Sequence, residues 1–259
     1  MLTHYHQAMH SGPAQPQRIA FFGGSFDPPH KGHLAIARAA HAGLQLDQVL
    51  FAPVGAQPLK PHGASASFND RLAMTRLCIA DDPAFAISLE DAPSAEQHDT
   101  PHYTIETLRR LRATQPANAT LLCLIGADSF RSLRHWHRGA EIPFVAPLIV
   151  AARPGQKLDD LSACLPPGLV LSQASHVPES IDTGIVRVFQ VSHPHGDTAP
   201  LYLLPDLYVD ISASQIREAL ERGASAPAEF LTPQVAEYIR LHGLYRDAFT
   251  CEPPTQQLR

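Results

Sequence analysis

The stretch RIAFFGGSFDPPHKGHLAIARAAHAGLQLDQVLFAPV, residues 18 to 54, decides the fold. RIAFFG reads as a buried strand, KGHLAIARAAHAGL as a helix and QVLFAPV as a second strand. Strand, helix and strand in so short a span make a βαβ unit, hence a parallel sheet with a right-handed crossover. The loop inside the unit places Gly23 and Gly24 directly after the strand, where a doubly wound sheet opens its ligand crevice. Glycines there let the backbone approach a phosphate or nucleotide without a Cβ in the way. Pro28 and Pro29 stiffen the loop, and Gly32 lets the chain turn into the helix. His30 precedes the helix and His33 lies in its first turn, so both imidazoles can face whatever the helix N-terminus binds. That terminus carries free N–H groups and partial positive charge, an anion site. The pattern predicts a clamp for a phosphoryl group that needs no metal ligands from the protein. With 15 histidines in the chain, an isolated His-x-x-His would mean little; the strand before it and the helix after it give it weight.

Outward from this unit, FNDRLAMTRLCIAD predicts a helix capped by Ser67 or Asn69. AFAISLED reads as a strand, YTIETLRRLRATQ as an amphipathic helix burying Leu108 and Leu111, and TLLCLIGAD as a buried strand entering a Gly-x-Asp turn. APLIVAARPG is a further strand. LVLSQ, IVRVFQV and LYLLP read as short strands of open topology within 156–205, a stretch expected to be an insertion or elaboration. SHPHGD, inside it, reads as a surface turn. DISASQIREALERG is a loop entering a helix that ends at Gly223, and TPQVAEYIRLHGLYR a final helix with Pro233 in its first turn. Residues 1–17 and 247–259 are expected to be loose tails around a single domain, 18–246.

The composition fits such a domain: 259 residues, 44% of them hydrophobic. A formal charge of −5, with 20 basic against 25 acidic residues and no long basic run, speaks against a nucleic-acid partner. The four cysteines lie far apart with no C-x-x-C pair, which fits a reducing cytoplasm. The first seventeen residues contain no apolar signal-peptide core, and stretches such as PFVAPLIVAA are too short to span a bilayer. A cytoplasmic protein without a membrane partner is expected.

Five segments in order, GGSFDPPHKGHL (23–34), PHYTIETLRRL (101–111), LIGADSF (124–130) with HW after it, ISASQIREAL (211–220) and YIRLHGLYR (238–246), resemble the motifs of the nucleotidylyltransferase superfamily. They are most similar to those of its nicotinate-nucleotide adenylyltransferases. The resemblance spans roughly residues 18–246. It implies an α/β, Rossmann-like doubly wound parallel sheet with a C-terminal helical extension. It also implies transfer of AMP from ATP to nicotinate mononucleotide, giving nicotinate adenine dinucleotide and pyrophosphate.

By that resemblance His30, His33 and Arg217 form the catalytic set. Gly23, Gly24, Ser25, Phe26, Gly126, Asp128, Ile211, Ser212 and Ser214 complete the ATP site. Lys60, Thr104 and Trp136 are placed at the substrate, with Lys60 a candidate phosphate contact. Asp128 is read either as a ribose or Mg²⁺ contact or as a turn residue capping the next helix. Mg²⁺ is expected to arrive with ATP. The sequence departs from the family at Ala213, where a second serine is usual, and at His137, where a tyrosine often follows the tryptophan. A same-fold transferase acting on nicotinamide mononucleotide or phosphopantetheine, a cytidylyl transferase, and a non-catalytic nucleotide sensor stay open as alternatives, as does a homo-oligomer.

Overall fold

Alternation inside the first strand organises the molecule. In β1 (Arg18–Gly24) the residues Ile19 to Phe22 are all buried, as a central parallel strand requires. Ala20 and Phe22 pack into one apolar layer while Ile19 and Phe21 pack into the other. The computed structural model describes residues 17–55, 64–93, 102–152, 161–205, 207, 211–223 and 229–246.

After β1 come α1 (Lys31–Leu44), β2 (Gln48–Pro53), α2 (Phe68–Ile79), β3 (Phe85–Ile87), α3 (Thr104–Thr114) and β4 (Thr120–Gly126). Then follow α4 (Ala127–Ser132), α5 (Ile142–Val145), β5 (Leu148–Ala151), α6 (Leu161–Cys164), β6 (Val170–Gln173), β7 (Arg187–Ser192), β8 (Thr198–Leu204), α7 (Ala213–Glu221) and α8 (Pro233–His242). The strands form one sheet in the order β3-β2-β1-β4-β5-β8-β7-β6. It is parallel from β3 through β8 and antiparallel across β8, β7 and β6. Residues of α1, α2, α7 and α8 supply one layer, among them Leu34, Met74, Ile216 and Ile239; α3, α4 and α5 supply the other with Leu108, Phe130 and Ile142.

Several expected features take definite form. Ser67 caps α2 by accepting from the Asp70 amide, and Pro233 stands in the first turn of α8, where Thr232 adds an N-cap. The AFAISLED strand is shorter than expected, three residues at the sheet's edge. Residues 198–204, inside the stretch expected to be an elaboration, form β8, whose Leu201 and Leu204 are fully buried and which pairs with β5. Only the hairpin of β6 and β7 lies outside β8 in the sheet. SHPHGD makes the turn between β7 and β8, with Gly196 at φ +101° and its amide bonded to His193 O. Residues 1–16 and 247–259, expected as tails, lie outside the described residues.

The chain runs outward from β1 in both directions, to β2 on one side and β4 on the other. The crevice of such a sheet opens at that switch, beyond the carboxyl ends of β1 and β4. Those ends are Gly24 and Gly126.

Candidate active site

A cavity of about 600 Å³ occupies that crevice. Gly23, Gly24, Ser25, Phe26, His30, His33, Thr104, Gly126, Asp128, Trp136, Ile211, Ser214 and Arg217 all line it. The structure thus brings together residues from four of the five segments singled out in the sequence. Ser212 is not among the lining residues; it caps α7, its hydroxyl accepting from the Gln215 amide while the Gln215 side chain accepts from the Ser212 amide. Lys60 lies outside the described residues.

The loop after β1 is built from the core outward. Phe26 adopts φ +47°, a left-handed conformation costly for a bulky side chain, and its ring is held in the core against Phe22, Phe51 and His33 at 5.5, 5.6 and 5.0 Å. Beneath the loop sits Arg71, only 2% exposed, donating to the carbonyls of Ser25 at 2.6 Å, Val54 at 2.8 Å and Ala66 at 3.3 Å. Burial lowers the Arg71 pKa from its ordinary value.

His30 is the N-cap of α1. Its Nδ1 accepts from the Gly32 amide at 3.1 Å, and Nδ1 of His33 accepts from the His30 amide at 3.1 Å. The two rings lie 3.8 Å apart. With both Nδ1 atoms accepting, a neutral imidazole carries its proton on Nε2, so each ring offers an Nε2–H donor. The sequence reading of a helix end with free N–H groups is corrected here. The Lys31 amide donates to Phe230 O at 2.8 Å, Gly32 to His30 Nδ1 and His33 to His30 O at 2.9 Å. The first turn is already paired, and anion binding falls to side chains and to the helix field.

Arg217 reaches across from α7. Its Nη1 donates to the Asp27 carbonyl at 2.7 Å and its Nη2 to Ser214 Oγ at 3.2 Å. The other end of the cavity is more open. Asp128 is exposed and paired with Arg131 at 2.9 Å. Trp136 is half-buried and donates from its indole to Ser132 Oγ at 3.0 Å; next to it His137 stacks on Tyr103 at 4.2 Å. His137, which stands where the family often has a tyrosine, thus forms a two-ring wall of the cavity with Tyr103. A Cβ built on Gly126 meets nothing within 4 Å, so that backbone faces open cavity.

Sequence reasoning missed Asp27, Asp91, Tyr103 and Cys123, all of which line the cavity, and Arg71 below it. Asp91 is 4% exposed and accepts from the Thr107 hydroxyl; burial pushes its pKa up. Its place just past β3, on the carboxyl edge of the sheet, was a usable signal. Cys123 is fully buried at the cavity floor, its thiol pushed up to about 12 by burial. Among the described residues no group of three His, Cys, Asp or Glu side chains could hold a metal ion. No described helix is long and apolar enough to cross a membrane.

The cytidylyltransferase-like family model matches residues 21–219. A probable nicotinate-nucleotide adenylyltransferase of Xylella fastidiosa (strain M12) is 37% identical over 230 residues, 89% of this chain and 97% of the relative. One from Laribacter hongkongensis is 38% identical over 229 residues, 88% of this chain and 94% of its own length. In three dimensions the chain resembles the Plasmodium falciparum nicotinic acid mononucleotide adenylyltransferase complexed with NaAD, with a TM-score of 0.61 at 19% identity, covering 88% of this chain and 97% of that one. That likeness concerns the fold.

Proposed function

As this chain belongs to the cytidylyltransferase-like family and, by identity along nearly the whole length of its relatives, to the nicotinate-nucleotide adenylyltransferases, we propose that its cavity is where adenylyl transfer takes place. The protein transfers the adenylyl group of ATP to nicotinate mononucleotide, yielding nicotinate adenine dinucleotide and pyrophosphate, a step of NAD biosynthesis.

The nucleophile is a phosphate oxygen of the acceptor, ionised at neutral pH, so no general base has to create it. A bond forms from that oxygen to the α-phosphorus of ATP, and the bond to the bridging oxygen breaks, its electron pair leaving with pyrophosphate. Catalysis then rests on in-line positioning and on stabilising charge at the α-phosphate and leaving group. The observation that carries the site assignment is the His30–His33 pair, with both Nδ1 atoms accepting from backbone amides. In neutral form each ring then carries its proton on Nε2, and both residues line the cavity. Arg217 adds charge, held by Asp27 O and Ser214. Gly23, Gly24, Ser25, Phe26 and Ile211 would supply the nucleotide's surroundings, and Gly126 the open backbone beside the ribose, with Asp128 its polar contact.

ATP enters as its Mg²⁺ complex. The donors present suit a hydrated ion carried by phosphate oxygens, with Asp128 the exposed carboxylate within the cavity. Thr104 and Trp136 are proposed to flank the nicotinate ring, and Lys60 to contact a substrate phosphate. Cytoplasmic location fits the described cysteines, all free thiols.

The test is pyrophosphate release with ATP or CTP against nicotinate mononucleotide, its amide counterpart and phosphopantetheine. ATP with the acid should give the highest kcat/KM. Backbone and indole donors suit a carboxylate, whereas the amide's NH₂ would face donors and leave polar groups unpaired. Equal rates for acid and amide, or preference for CTP, would reassign the substrate.

A further inference from the structure

We infer that Tyr245, three residues beyond α8, is a positioning residue of the phosphate site, acting through the Asp27 carboxylate. This rests on the reading of the cavity as the ATP site.

Asp27 lines the cavity and is 4% exposed. A carboxylate there would repel a triphosphate unless its charge were engaged elsewhere. Both its oxygens are engaged. Oδ1 accepts from the Tyr245 hydroxyl at 2.7 Å and from the Ala66 amide at 3.1 Å, and Oδ2 accepts from the Ser65 amide at 2.7 Å. The same residue's carbonyl accepts from Arg217 Nη1 at 2.7 Å, while Oδ2 lies 3.9 Å from that nitrogen.

The guanidinium therefore has two possible partners on Asp27. It now bonds the neutral carbonyl, with the carboxylate just beyond hydrogen-bond distance. Tyr245 is one of the donors that hold the carboxylate in place. Removing its hydroxyl leaves Oδ1 with the Ala66 amide alone and lets the loosened carboxylate close its Oδ2 on Arg217, neutralising the cation that the phosphates need. Two further observations mark Tyr245 as built for the contact. It holds φ +61°, a left-handed conformation that a tyrosine adopts only where packing and bonding compensate. Burial and the Asp27 charge also raise its pKa, keeping the phenol a donor.

A matched control exists two turns earlier. Tyr238, on α8, donates to Asp70 Oδ1 at 3.0 Å and touches neither Asp27 nor Arg217. Tyr245→Phe and Tyr238→Phe each delete one oxygen from a full-length protein that otherwise keeps its packing. Calorimetry with MgATP should show Tyr245→Phe binding about tenfold more weakly, with Tyr238→Phe within about twofold of wild type. The KM for ATP should rise in step, with the KM for nicotinate mononucleotide nearly unchanged. Unaltered MgATP binding by Tyr245→Phe, or equal weakening in both variants, overturns the inference. Wild-type protein that makes no dinucleotide from nicotinate mononucleotide would overturn the acceptor assignment instead, and the MgATP titrations would still decide the role of Tyr245.

Discussion

The two ends of the cavity are built differently. At the proposed phosphate end Phe26, Asp27 and His30 are buried, and the loop is bound by Arg71 beneath it and by Arg217 and Tyr245 at Asp27. At the proposed acceptor end Thr104 and Trp136 are half-buried, Asp128 and His137 are exposed, and the wall includes a ring stack and an indole bond. The contrast suits the proposed chemistry. Stabilising charge on a transferring phosphoryl group requires donors fixed in advance, because reorganisation during the reaction would consume the benefit. Holding a flat aromatic ring requires surface and little directionality.

The contrast breaks most directly at Arg71. Arg71→Met leaves three carbonyls under the loop without their donor, and should destabilise the protein by about 3 kcal/mol or more in urea unfolding. A loss below about 1 kcal/mol would mean the phosphate end is not held from beneath. Next is His33→Ala, where kcat should fall about 100-fold. The variant should also lose about 1 kcal/mol of stability, because the His30 amide no longer has its acceptor. Near-normal turnover would remove His33 from the chemistry. Trp136→Ala should raise the KM for nicotinate mononucleotide about tenfold while the KM for ATP changes less than about twofold. An equal rise in both would show the two ends are not separate.

The smallest expected effect concerns Asp91. Burial raises its pKa above the ordinary 3.8. As pH climbs past that value the unfolded chain releases this proton first, so the folded state loses stability until its own pKa is passed. Asp91→Asn keeps an acceptor for Thr107 and removes that loss. It should be more stable than wild type by about 1 kcal/mol at pH 7, with the difference shrinking as pH falls toward 3.8 and gone below it. A pH-independent difference would place the charge elsewhere.

What the sequence disclosed and what it withheld divide by range. The β1–α1–β2 unit, the cap at Ser67, Pro233 in the first turn of α8, and the glycine at the end of β4 were legible because each depends on neighbours a few residues away. The Asp27–Tyr245 bond joins residues 218 apart, and nothing in either segment announces the other. The paired first turn of α1 was hidden for the same reason, since its Lys31 amide meets Phe230 O. Strand β8 was legible as a strand but not as a central one, because its place beside β5 is set by pairing with chain made long before it. Arg71 is the instructive miss. A lone cation in a helix usually faces water, and only the carbonyls folded over it explain its burial.

Cys123 carries a different lesson. A thiol lining a cavity would ordinarily invite alkylation and oxidation, but Cys123 is fully buried beneath its surface. With its pKa pushed to about 12, the nucleophilic thiolate makes up only about one part in 10⁵ at pH 7. Peroxide and maleimides therefore meet an inert sulfur at the base of the crevice. Loss of turnover under mild oxidant would trace to another residue, and Cys123 labelling during slow denaturation would time the moment β4 leaves the sheet.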